Sequence, residues 1–124
     1  MPDKKNLREP LPLPVYENSR EIEIFQNQVL RSVLKLQNEM YLMLFKEYAL
    51  RKISGFTVLS TEKKTGFIDQ NLQKDHALRN LLIGMTIGML VPEEMKIYLS
   101  DTKASNKRII TMLAERIKSQ MELI

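Results

Sequence analysis

The chain has 124 residues, of which 44% are hydrophobic and 27% charged, with a formal net charge of +4. That size and balance bound one domain, able to bury roughly two thirds of the surface its unfolded chain exposes. Cysteine is absent, which excludes disulfides, a thiolate nucleophile and cysteine metal sites, and suits a reducing cytoplasm.

Residues 1–18 contain Pro2, Pro10, Pro12 and Pro14. Proline lacks an amide donor and fixes φ, so this stretch reads as a flexible, extended arm ahead of a single helical domain over 19–124. It has no apolar core of signal-peptide length.

At Ser19 the pattern changes. Ser19 reads as an N-cap, with Glu21 and Glu23 in the first turn, where the helix dipole favours negative charge. Apolar residues recur at Ile22, Phe25, Val29, Val33, Leu36, Met40, Leu44 and Tyr48, in helical steps of three and four. The spacing predicts one long helix to Lys52, about 45 Å if unbroken at 1.5 Å per residue. MYLMLF (Met40 to Phe45) is apolar nearly all round and is expected at the centre of the fold. Gly55 suits a left-handed C-terminal position. Phe56 to Leu59 is the one candidate strand, and it has no second strand to pair with.

Ser60 or Thr61 opens the next helix, with Phe67, Ile68 and Leu72 on its apolar face; Asp75 caps the one after it, His76 to Leu90. Pro92 with Glu93 and Glu94 marks another start. That helix is expected to turn Met95, Tyr98 and Leu99 inward. The last helix follows Ser100-Asp101 and carries Ile110, Leu113, Ile117, Met121 and Ile124 at steps of three and four.

RNLLIGMTIGMLVPEE (Arg79 to Glu94) raises three readings. Its apolar run, Leu81 to Val91, is about half the ~20 residues of a membrane span. Its glycines lie within a helical pattern with no following Lys-Ser or Lys-Thr, unlike a phosphate loop. The remaining reading is close packing. Gly84 and Gly88 share a face and let another helix approach, a contact that offsets the about 0.8–1 kcal/mol of helix propensity each glycine costs. His76–Leu90 is then the central helix, its glycines serving the core or a subunit seam.

Little catalytic chemistry is offered. His76 is the one histidine, so no metal set is assigned, and no nucleophile elbow or dinucleotide loop occurs; neither cofactor nor metal is expected. The best polar cluster is KDHALRN (Lys74 to Asn80). With His76 and Arg79 on one face, and Asn106 and Arg108 from the last helix, it is a candidate small-ligand site. Against it stands the plainer reading of a helix cap with an Asp75–Arg79 ion pair. Lys103, Lys107 and Arg108 form a basic patch, but no helix-turn-helix or stacking platform accompanies it, so nucleic-acid binding is the third reading.

FQNQVLRSVLKLQNEM (Phe25 to Met40), QKDHALRNLLIGMTIGML (Gln73 to Leu90) and SNKRIITMLAERIKSQ (Ser105 to Gln120) resemble, over residues 22–120, a small bacterial family whose members often carry the label glyoxalase. That label implies a metal-dependent βαβββ enzyme. The chain lacks a strand pattern, and one histidine cannot supply the His/Glu metal set, so no catalytic residue is carried over.

The expectation is an all-α, four- to five-helix bundle-like domain with a long first helix. Its leading function is a non-enzymatic protein-interaction or oligomerisation module, as a cytoplasmic homodimer or with another protein, without a membrane segment. Val33, Leu36, Met40, Leu113 and Ile117 are the candidate interface residues. A ligand-binding or enzymatic role around His76 and Arg79 is the alternative.

Overall fold

The computed structural model describes residues 20–124; the arm over 1–18 and the Ser19 cap lie outside them. Those residues form helices and short turns with no strand among them, an all-α, bundle-like arrangement.

The first rod runs through α1 (Arg20–Ile24), a π-helical turn (Phe25–Val29), α2 (Leu30–Leu36) and α3 (Asn38–Lys52). It is not unbroken. Gln37 leaves helical geometry at φ −97°, ψ 14°. Its amide Nε2 donates to Tyr41 Oη and to the Met85 carbonyl, both at 3.1 Å. The backbone bonds from the Gln37 amide to the Val33 carbonyl and from the Tyr41 amide to the Gln37 carbonyl persist, while the side chain makes a long-range contact that no heptad-like pattern announces. Gly55 is not left-handed (φ −97°), because Phe56–Val58 at once forms a 3-10 turn. The candidate strand is therefore this turn, anchored by Phe56, whose ring centroid lies 5.1 Å from that of Phe67.

The later boundaries follow their caps. α4 (Thr61–Lys74) begins where Ser60 Oγ accepts from the Lys63 amide at 3.2 Å. α5 (His76–Ile87) begins where Asp75 Oδ1 accepts from the Leu78 amide at 3.1 Å. α6 (Pro92–Ser100) starts on its proline, with Glu94 accepting from the Val91 amide at 3.0 Å. α7 (Thr102–Lys118) is capped by Asp101, and a 3-10 turn (Met121–Leu123) follows it. Each cap satisfies an amide that the helix itself leaves open.

α7, and not α5, is the hub. It buries Ser105, Ile109, Ile110, Met112, Leu113, Ala114 and Ile117, and packs against α2, α4, α5, α6 and the π-turn. α5 buries only Leu78, Leu82, Ile83 and Thr86. The run around it is apolar on every side, but the chain supplies neighbours on one side only.

Three packing expectations change accordingly. Gly84 and Gly88 do not seat a neighbouring helix within the chain. Both are exposed. A Cβ at Gly84 meets nothing within 4 Å; one at Gly88 meets the Gly84 carbonyl at 3.1 Å. Gly84→Ala should therefore stabilise the monomeric fold by about 0.5–1 kcal/mol in chemical denaturation, since it recovers helix propensity at no steric cost. Gly88→Ala, crowded against backbone, should bring no such gain. Secondly, Val33, Leu113 and Ile117 are core residues with essentially no exposed surface, so they cannot be interface contacts. Thirdly, Leu99 points outward while Tyr98 is buried and Met95 half-buried.

Candidate functional site

α3 and α5 run antiparallel. Gln37 and Tyr41 meet Met85 and Thr86 at one end, and Tyr48 meets Asp75 at the other. The first junction is a polar chain. Gln37 donates to Tyr41 Oη, the Tyr41 hydroxyl lies 2.7 Å from Thr86 Oγ1, and Thr86 donates to the Leu82 carbonyl at 2.9 Å. Since Thr86 spends its proton on Leu82, Tyr41 is the donor to Thr86. Burial pushes the Tyr41 phenol above its ordinary range, so it stays a neutral donor.

At the far junction the Tyr48 hydroxyl reaches Asp75 Oδ2 at 2.6 Å and Asn71 Oδ1 at 2.8 Å. This bond and the Leu78 amide hold Asp75 below the usual carboxylate range; burial and Asp75 raise Tyr48 in turn. A lowered native pKa means that the unfolded chain binds the proton more readily. The contribution is therefore complete above the unfolded value, about 3.9, and is lost as pH falls through the native one. Asp75→Asn should flatten the acid limb of a Tm-against-pH curve between pH 5 and pH 2. An unchanged limb would show that other carboxylates govern acid unfolding.

Outward from these two junctions lies an apolar face. Leu36, Met40, Met43 and Leu44 are 43%, 54%, 62% and 36% exposed, and Leu81 on α5 is 49% exposed. Between the helices runs a groove of about 370 Å³ whose apolar lining includes Leu44, Ala77, Leu78 and Leu81, with Arg51, Lys52 and Asp75 at its polar end. Sequence causes this directly. MYLMLF is apolar all round, so no rotation of α3 hides it all. Turning Tyr41, Leu42 and Phe45 inward leaves Met40, Met43 and Leu44 outside. Met43 and Leu44 were not expected to be exposed because that stretch was expected to be enclosed, and Leu81 because His76–Leu90 was expected to be the central helix.

The four candidate ligand residues do not form one site. His76 is exposed. Arg79 donates to the Leu72 and Gln73 carbonyls at the end of α4, at 3.3 Å each, and does not pair with Asp75. Asn106 accepts from the Tyr98 hydroxyl at 2.6 Å, and Arg108 donates to Asn27 at 3.2 Å. Their side chains serve three different helix junctions. Lys103 and Lys107 are exposed on α7. Among the described residues no helix is long and apolar enough to cross a membrane, and no cluster of three His, Cys, Asp or Glu is placed to hold a metal ion.

No family model, no curated protein and no solved structure matches the chain.

Proposed function

We propose that this chain is a homodimerisation module of the reducing cytoplasm, which buries the α3–α5 face against the same face of a second copy. The observation that carries the reading is the exposed row Leu36, Met40, Leu44 and Leu81, continuous with the apolar groove beside it. A contiguous apolar face of this kind is rare on a monomer and marks an interaction surface. Charge selects a second copy in antiparallel orientation. α3 carries Glu39 in its first turn and Lys52 in its last, where Arg51 is already paired with Glu47 at 3.0 Å. A two-fold axis through the middle of α3 brings each acidic end over the partner's basic end, and opposes the two helix dipoles. The bare Gly84 gives the partner's side chains room at the centre.

Light scattering and sedimentation equilibrium test this. The parent chain should be a dimer at about 100 μM, and Leu81→Glu should be a folded monomer with unchanged far-ultraviolet dichroism. A parent chain that stays monomeric at that concentration, or a Leu81→Glu variant that still dimerises, defeats the proposal.

A further inference from the structure

A second groove, of about 400 Å³, lies between the C-terminal part of α7 and α2. Leu34 and Met112 give it an apolar part. Arg31, Arg116 and Gln120 give it a polar one, and Glu115 lines it as well.

Arg116 is half-buried and is held by a reciprocal amide pair. Its Nη1 donates to Asn38 Oδ1 at 3.3 Å; the same oxygen accepts from Gln120 Nε2 at 2.8 Å, and Asn38 Nδ2 donates to Gln120 Oε1 at 2.7 Å. Amides fix the guanidinium's orientation without neutralising it. Among the described residues neither Arg31 nor Arg116 makes an ion pair, and Glu115 bonds to neither. Burial and the neighbouring Arg31 both push Arg116 below its ordinary range. The carbonyl end of α7 accounts for one cation in its last turn. It does not account for a second arginine, brought by a different helix, facing the same groove.

Two unneutralised guanidiniums beside an apolar surface form a receptor for an oxyanion, because each fork donates to two oxygens in its own plane. We propose that this groove binds a small organic oxyanion, a phosphate ester or a carboxylate, whose charged head bridges Arg31 and Arg116 and whose apolar body lies on Leu34 and Met112. The site shares no residue with the α3–α5 face, so it stands whether or not the chain dimerises.

The test uses the full chain with inorganic phosphate, phenyl phosphate and benzoate as probes, read by calorimetry and by thermal shift. Parent protein, Leu81→Glu and the charge control Lys103→Gln should bind phenyl phosphate or benzoate alike, and the preferred probe tells phosphate ester from carboxylate. Arg31→Gln and Arg116→Gln should each weaken binding at least tenfold, about 1.4 kcal/mol. Arg31 is exposed, so its variant folds even where Arg116→Gln does not. Binding of none of the probes to the parent, or a loss in Lys103→Gln as large as in Arg31→Gln, overturns the proposal. Inorganic phosphate binding as tightly as phenyl phosphate overturns the role of Leu34 and Met112.

Discussion

Leu82→Ala should lose about 2–5 kcal/mol of folding stability, whereas Leu81→Ala, one residue away, should stay within about 0.5 kcal/mol of the parent chain. Leu82 is fully buried and its carbonyl ends the Gln37–Tyr41–Thr86 chain, while half of Leu81 faces solvent. Removing the first side chain loses its transfer free energy and leaves a void in the core. Removing the second opens no void. The contrast holds at concentrations low enough to keep the chain monomeric. In the proposed dimer, Leu81→Ala should lower the apparent Tm at high concentration as well, since dimerisation stabilises folded protomers by mass action. Urea unfolding at two protein concentrations reads both effects. Equal losses for the two variants at low concentration would contradict the placement of α5.

Phe45→Ala should cost about 3–5 kcal/mol. Phe45 has no exposed surface and sits in a ring cluster, its centroid 5.9 Å from Tyr48 and 6.0 Å from Phe67. Phe67 in turn packs on Phe56. The cluster joins α3, α4 and the 3-10 turn between them, so the void falls where three elements meet. Offset and edge-on ring pairs add about 0.5–1.5 kcal/mol beyond burial, which Phe45→Leu should forfeit while keeping most of the volume. A Phe45→Ala loss below about 1 kcal/mol would mean that the cluster is loosely packed.

Much of the fold was legible in the chain. Steps of three and four located the helical rods. Ser60, Asp75, Pro92 and Asp101 marked their starts, since a cap is a local event whose donor and acceptor lie three residues apart. The irregular turn at Gln37 was not legible, since the contact its side chain makes there is with the Met85 carbonyl, 48 residues away. The candidate site was half legible. Leu36 and Met40 were expected at an interface and are exposed, but Val33, Leu113 and Ile117 were expected beside them and are core. Periodicity places residues on one side of a helix; it does not say which side the rest of the chain covers. The His76, Arg79, Asn106 and Arg108 grouping failed for a similar reason. Charged and polar residues look available until their partners are known, and here helix-end carbonyls and neighbouring side chains already occupy three of them.

Helix type, helix starts and the excess of apolar surface are therefore properties of the chain, set by spacing, caps and composition within a few residues. The choice of α7 as hub, the bareness of Gly84 and the outward turn of Met40, Leu44 and Leu81 belong to the tertiary structure. An all-round apolar helix can bury either side equally well by local rules. Only the number and placement of the neighbouring helices, fixed by contacts tens of residues apart, decide which side is left facing water.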